Sequence, residues 1–447
     1  MNIALIIYLV FLIAIAVRSA RRVKDIPDFF VARKGASAKA VAGSLVATIL
    51  GGSAVIGAVD SGAKLGGAAS WFMLVGALGL FALIPIAGRA YEHGKYSLPD
   101  LVENLYGKGP RLVATVVIPV AWTGIVAAQI IAAAKLLMTF TLMPYTTAAI
   151  VSALVFTGYT LAGGQLSILR TDFLQACLII VGLLLLAGFA KFGGGELGSM
   201  LASATTSVAP KFPFNANFTP LDLFLLILTY GTTYTAGPDI YSRVFCAKDA
   251  ATAKKAIGIA ACVLIPVAFV IGFLAVYGVN FAHVQGARIT AIANAVLPPA
   301  LLPVFALALL SVVLSSADTT LLSSSIIING LCRKPSLFQA RIIILLNGIV
   351  ALLLALVFTD IIGTLLLALA VYAGAFTVPI LWGLLGFQAK PKFVGTAIVA
   401  GGILSLSGKL CPALPGSLGQ HTGDILMIAA FVVNGVILVL GRRPRVN

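Results

Sequence analysis

Residues 315–325 read Ser-Ser-Ala-Asp-Thr-Thr-Leu-Leu-Ser-Ser-Ser, seven hydroxyls and one carboxylate within eleven residues of an otherwise apolar stretch. On a helix, Ser315, Asp318 and Thr319 share one face at i, i+3 and i+4, with Ser316 and Thr320 on the adjacent strip. Hydroxyl and carboxylate oxygens bordered by backbone carbonyls are hard ligands, suited to Na+ and poorly suited to a soft metal. A single Ser or Thr in a helix bonds back to its own carbonyls, and a run this dense holds more hydroxyls than that local role needs.

A carboxylate inside hydrocarbon is costly and asks for a partner or a role. Besides Asp318, three acids fall in or near apolar runs: Asp60, Asp172 and Asp239. Asp172 stands at the start of such a run, in Arg170-Thr171-Asp172-Phe173-Leu174-Gln175. There it either complements the first turn of its own helix or reaches the hydroxyl face around Asp318 and completes a second cation position. Asp60 precedes Lys64 by four residues and Asp239 precedes Arg243 by four, so each is expected to pair locally, or in the second case to pin an inner gate.

Enzyme chemistry finds little to work with. His93, His283 and His421 are scattered outside the apolar runs, and the chain has no Walker loop, G-x-S-x-G elbow or H-E-x-x-H motif. The five cysteines, at 177, 246, 262, 332 and 411, show no C-x-x-C spacing, so neither a disulfide framework nor zinc is implied.

The elements that must position these groups follow from composition. Of 447 residues 60% are hydrophobic and 10% charged, with a mean hydropathy of +1.09. A soluble chain carries about a quarter charged residues, so lipid must cover this one. Thirteen apolar segments are expected to be helices, at 3–17, 41–64, 67–88, 112–138, 142–165, 171–190, 221–242, 256–279, 298–331, 338–357, 361–386, 393–408 and 424–441. Most approach the ~20 residues that span a bilayer. The longest polar stretches, 191–220, 280–297 and 409–423, are expected outside, the first with a short surface helix.

The net charge of +16 has a sidedness. With the N-terminus outside, 24 of the 30 Lys and Arg fall on the cytoplasmic side, which is the positive-inside bias, and nucleic acid is not needed to explain the charge. The first segment has basic residues after it and none before it, the reverse of a cleavable signal peptide. It is therefore expected to be retained. The last span is followed by six residues, so no regulatory domain is expected after it. The expected setting is the inner (plasma) membrane, N-terminus outside and C-terminus cytoplasmic.

Two spans are interrupted at comparable places: the second by Gly51-Gly52-Ser53, the seventh by Gly231-Thr232-Thr233 and Gly237-Pro238. Five spans apart, they have opposite orientations, the layout of an inverted repeat of spans 2–6 (41–190) against 7–11 (221–386), flanked by 1–40 and by two C-terminal helices at 393–441 in one transporter domain. Paired broken helices point to a transporter site near the midplane, although membrane helices also carry Gly simply to pack closely.

With these residues in view, the chain resembles the sodium/solute symporters, which share the inverted-repeat fold of the leucine transporter. The resemblance rests on ordered pieces along nearly the whole chain. They are Asp28-Phe29-Phe30-Val31-Ala32-Arg33, Ser44-Leu45-Val46-Ala47-Thr48 with the break at 51–52, and Ser97-Leu98-Pro99-Asp100-Leu101. Gly163-Gly164 with Thr171-Asp172 and Gln175 follow, then Gly237-Pro238-Asp239-Ile240-Tyr241-Ser242-Arg243 with Ala247-Lys248-Asp249, and Ser315-Ser316-Ala317-Asp318.

The resemblance implies a main Na+ site formed by the carbonyls of Ala47, Leu50 and Val312 and the hydroxyls of Ser315 and Ser316. It further implies a second cation position at Asp172, Asp318 and Thr319, sharing Ser315. Asp318 stands where the family commonly has serine, so one or two Na+ ions, or H+ in place of the second, remain open. The solute is expected beside the breaks, near Gly51, Gly52, Ser53, Tyr230, Thr232 and Thr233, with Trp122 and Gln129 as further walls. Exposed N–H groups there would favour an anionic group, while the absence of an arginine from this lining argues against a strongly acidic solute. The expected function is Na+-coupled uptake of a small amino acid, carboxylate, sugar or vitamin by alternating access, without enzyme activity and as a monomer. A membrane sensor with a separate signalling partner, a channel and a membrane-embedded enzyme are the rival readings.

Overall fold

The computed structural model describes residues 8–443 apart from 9, 13, 16, 20, 22, 142, 193–211, 282–286, 333–335 and 412–416. In hydrocarbon every backbone N–H and C=O must be satisfied inside the chain, and the apolar runs accordingly form helices. Among the described residues extended pairing is limited to isolated bridges such as Ala36 with Ala247.

A short apolar helix, Val10–Ser19, precedes the main bundle. Then come α1 (Ala38–Ile49) and α2 (Ser53–Asp60), one span bent by 50° at its middle, followed by α3 (Gly62–Leu83). Next are α4 (Lys108–Thr141), α5 (Tyr145–Phe192), α6 (220–236), α7 (Pro238–Val244) and α8 (Ala250–Tyr277). The remaining elements are α9 (Arg288–Val296), α10 (Leu302–Asn329), α11 (Leu337–Val357), α12 (Ile361–Leu384), α13 (Pro391–Leu410) and α14 (Ser417–Leu440). Polar residues mark the starts: Ser37 caps α1, Thr219 and Asp222 form a capping box on α6, and Asp249 accepts from Thr252 N at 2.7 Å on α8. Proline begins α6, α7 and α13, where its missing N–H costs nothing. Among the described residues nine helices are long and apolar enough to cross a membrane alone, and the bent α1–α2 pair makes a tenth.

Segments 142–165 and 171–190, expected as separate spans, are the two arms of α5, which runs from one to the other without a loop over the 48 residues Tyr145–Phe192. Straight, it would run about 72 Å at ~1.5 Å per residue, more than twice a hydrocarbon core of ~30 Å. Gly164 divides it into two crossings, with φ 55° and ψ −160°, a region open to glycine alone. A Cβ there would also meet the ring of Phe29, which packs on the turn. Asp172 therefore sits beyond this turn within a continuing helix, not at a helix start. Of the two interruptions expected in the seventh span, Gly231-Thr232-Thr233 is a π-helical turn leading into helix, and the chain breaks at the other, Gly237-Pro238, where ψ of Gly237 is 138°. Pro238 enforces this, since a residue before proline is driven out of the helical region.

Two outer features also differ. The stretch 280–297, expected as a polar loop, contains α9, while 282–286, and residues 193–211 of the stretch 191–220 expected to carry a surface helix, lie outside the described residues. Asp60 does not pair with Lys64. Its carboxylate accepts from Arg288 N at 2.9 Å, and Arg288 Nη1 donates to the Asp60 carbonyl, so α2 is tied to α9. A helix close in space offered better donors than the residue four places on.

At the basic end, Asp28 pairs with Arg33, whose guanidinium also reaches Asp25 at 2.8 Å. The Arg33 side chain holds the Asp28 carboxyl below the usual carboxylate range. These contacts clamp three consecutive left-handed residues, Ala32, Arg33 and Lys34, with φ of 46°, 53° and 55°, a backbone that ordinary residues adopt only under such constraint. Ala36 N then donates to Cys246 O at 2.9 Å, joining the approach to α1 with the exit from α7.

The centre of the bundle is α10, 83% buried over its apolar window against 28% for α14. It packs on α1, α4, α5 and α7, so its hydroxyl face meets both broken spans.

Candidate functional site

The break in α1 is a redistribution of backbone hydrogen bonds. Leu50 leaves the helix with φ −76° and ψ 47°. Gly52 N, the helical donor for Thr48 O, instead donates to Gln129 Oε1 on α4 at 2.8 Å. Two successive hydroxyls of α10 take over. Ser315 Oγ donates to Ala47 O at 2.8 Å, and Ser316 Oγ donates to Thr48 O at 2.6 Å. Ser315 Oγ also lies 2.7 Å from Ser311 O and 3.4 Å from Val312 O. A Cβ on Gly51 would strike Ser316 Oγ, and one on Gly52 would lie 2.6 Å from Ala132 Cβ. The two glycines are thus required for close approach to α10 and α4. Ala47, Val312, Ser315 and Ser316 meet at one place, with Leu50 supplying the turn. Their carbonyl and hydroxyl oxygens are the donor type a hard cation takes.

One turn along α10 lies a buried charged cluster. Asp172, Arg243, Asp318 and Thr319 are each 0% exposed. Arg243 Nη2 lies 3.6 Å from Asp172 Oδ2 and donates to Thr319 Oγ1. Its Nε donates to Ser44 Oγ at 3.1 Å and its Nη1 to Ser242 Oγ at 2.8 Å, while Ser44 Oγ donates to Asp172 Oδ2. Thr319 Oγ1 donates to Ser315 O at 2.7 Å and lies 3.4 Å from both Asp318 Oδ1 and Thr48 Oγ1. Asp172 Oδ1 and Asp318 Oδ2 have no hydrogen-bond partner among the described residues.

Asp172, Asp318 and Thr319 are thus brought together, with a cation of the chain itself among them. The expected local ion pair is not formed. Arg243 does not form an ion pair with the Asp239 carboxylate; its only contact there is Nη1 to the Asp239 carbonyl at 3.5 Å. Its long side chain runs instead into the bundle, where the Asp172 carboxylate and the hydroxyls of Ser44, Ser242 and Thr319 take up its three nitrogens. Spacing along one helix could not reveal a partner on another.

The third feature is a cavity of 40 Å³ beside both breaks, room for a few waters at ~10–15 Å³ each. Of the expected solute-lining residues, Gly51, Ser53, Trp122, Gln129, Tyr230 and Thr233 border it. Gly52 and Thr232 do not: Gly52 faces Gln129 and Ala132, and Thr232 Oγ1 donates to Leu228 O at 2.5 Å. Sequence reasoning missed Tyr234, Asp239 and Thr320 as lining residues. Helical spacing could have found two of them, since Tyr234 is four residues from Tyr230 and Thr320 four from Ser316. Asp239 follows the break itself. Tyr230 and Tyr234 meet edge to face at 5.1 Å, and Trp122 stands edge to face with Tyr372 at 4.5 Å.

The profile of the sodium:solute symporter family matches residues 29–390. Over 167 residues the chain is 29% identical to the sodium/proline symporter of Haemophilus influenzae, covering 36% of this chain and 33% of that protein. Over 281 residues it is 26% identical to the high-affinity proline transporter PutP of Bacillus subtilis, covering 58% and 59%. The chain thus spans between a third and three fifths of the length of these curated relatives. Among solved structures, a Na+-coupled sialic acid symporter in a substrate-bound, outward-open state superposes with a TM-score of 0.79 at 19% identity, over 100% of this chain and 99% of the other. An Eremococcus coleocola manganese transporter gives 0.58 at 14% identity over 90% and 94%. These likenesses show the fold: all-α, polytopic and leucine-transporter-like.

Breaking a buried ion pair from one side leaves an uncompensated charge, which costs about 3–5 kcal/mol. Arg243→Met should therefore lower the thermal unfolding midpoint of the purified protein sharply, and Asp172→Leu should do so too. The double variant is expected to be more stable than the sum of the two losses allows. Strictly additive losses would show that the pair is not coupled.

Proposed function

The chain belongs to the sodium:solute symporter family, a family of transporters and not of enzymes, and on that premise we propose that it carries a small organic solute into the cytoplasm together with Na+. The observation that supports this most is the junction of α1 and α10, where Ser315 and Ser316 donate to Ala47 O and Thr48 O. A Na+ ion there would take the lone pairs of both hydroxyls and the carbonyls of Ala47, Leu50 and Val312. Cation and hydroxyl protons compete for the same carbonyls, so binding re-forms the joint between the broken span and the central helix. Na+ stabilises the outward-facing arrangement, the solute follows, and opening inward separates α1 from α10 and releases both. The potential contributes about 2.3 kcal/mol per charge per 100 mV.

The cluster at Asp172, Asp318 and Thr319 is the second cation position in this reading. Two carboxylates face one guanidinium, so the cluster has a use for one further positive charge, either a second Na+ or a proton on Asp318. Arg243 also reaches Ser44 on α1, so a cation arriving there would loosen its hold on the inner half of the broken span. The orientation that fits the basic residues has the N-terminus outside and the C-terminus in the cytoplasm, in the plasma membrane. Residues 41–190 and 221–386 form the two repeats of a single domain that works as a monomer. The proline relatives favour an amino acid among the candidate solutes.

Removing a hydroxyl that contacts a charged ligand costs about 1.5–3 kcal/mol. Ser316→Ala should raise the Na+ concentration for half-maximal uptake about tenfold or more while the protein still folds. An unchanged half-saturation would remove Ser316 from the site. Asp318→Asn should alter the ion-to-solute ratio or the pH dependence of uptake, measured in proteoliposomes with Na+ and pH gradients imposed separately. If both match the wild type, Asp318 is structural.

A further inference from the structure

We propose that the solute carries a positively charged amine, held by Asp239 and by the aromatic walls of the central cavity. The inference rests on the symporter reading and names the substrate class of that same site. Among the described residues lining the cavity, Asp239 is the one with a charged side chain, and no Lys, Arg or His stands with it. The guanidinium in the neighbourhood is engaged elsewhere, on Asp172, Ser44, Ser242 and Thr319. Asp239 is half-buried while Pro238 and Ile240 on either side are buried, so it is the open residue at the start of α7.

The backbone around the cavity points the same way. An anionic solute would need free N–H groups at a half-helix start, and the leading position of each start has none to offer. α7 begins with Pro238, which has no N–H, followed by the acid itself, and Gly52 N is taken by Gln129. What converges on the cavity instead is the carbonyl end of α1 at Thr48 and Ile49, the negative end of a helix dipole. On this inference the break favours a cation where an anion was expected.

Aromatic faces complete the site. Trp122, Tyr230 and Tyr234 line the cavity, and Trp122 Nε1 has no hydrogen-bond partner among the described residues. Indole and phenol faces attract an ammonium group, most strongly when it is desolvated, and a carboxylate among them supplies the compensating charge. Asp239 also complements the first turn of its own helix, and that role neither uses the aromatic walls nor accounts for a cavity without a basic residue.

The test is the thermal unfolding midpoint of the full-length protein with matched probes that differ in the amine: proline against pyroglutamate, and pyrrolidine against tetrahydrofuran. In Na+ the amine of each pair should raise the midpoint and its amine-free partner should not. Asp239→Asn, provided it still unfolds cooperatively, should lose the response to both amines. Equal shifts within each pair, no shift from either amine, or a response that survives in Asp239→Asn would overturn the inference. If the variant does not fold, the matched pairs on the wild-type chain decide alone. The shift by Na+ over K+ without any probe tests the coupling reading separately: its presence together with a failed amine comparison retains the symporter and rejects this substrate class.

Discussion

Inside hydrocarbon a helix can be interrupted only where other groups replace the hydrogen bonds that the interruption removes. This constraint organises the centre of the protein. The break after Ile49 stands because Ser315 and Ser316 supply donors to Ala47 O and Thr48 O and Gln129 supplies an acceptor to Gly52 N. The break at Gly237 is held comparably: Tyr241 OH donates to Thr235 O at 3.0 Å, and Tyr372 OH donates to Ala236 O. Apart from Tyr241, the side chains that repair the breaks come from other spans, so these repairs are also joints between moving parts. A joint made of oxygen atoms is one that a small cation can enter.

Arg243 gives this arrangement its second organising force. A guanidinium with no exposure must be fully satisfied, and its donors reach Ser44 on α1, Thr319 on α10, Ser242 on α7 and Asp172 on α5. Four elements from both halves of the fold thus converge on one side chain. Any movement of α1 or α7 relative to α10 must rearrange these bonds together, which makes the cluster a natural point for ion binding to be felt at both broken spans.

How much of this could be read from the sequence depended on whether the signal was local. The hydroxyl run of α10, the glycines at 51–52 and the buried acids stand out because each is improbable within its own segment, and α10 proves to be the most buried of the apolar helices. Partner choice was not legible. Asp60 and Arg243 each had an opposite charge four residues away, yet the fold brought α9 to the first and α5 to the second. The turn at Gly164 falls where the expected segment 142–165 ends, but its geometry, a glycine with φ 55° packed under Phe29 and no loop on either side, was not legible. Of the two interruptions expected in the seventh span, the one at Gly237-Pro238 is the break, because proline decides it, while Gly231 stays within helix.

The central claim is that a cation enters the joint between α1 and α10, and hydrogen exchange read by mass spectrometry tests it most directly. With Na+ replacing K+ at constant ionic strength, amides of 47–53 and 312–320 should exchange more slowly, while those of the peripheral α13 and α14 stay unchanged. Exchange in the two central segments that is indifferent to Na+, or protection that appears only in other parts of the bundle, would contradict the account.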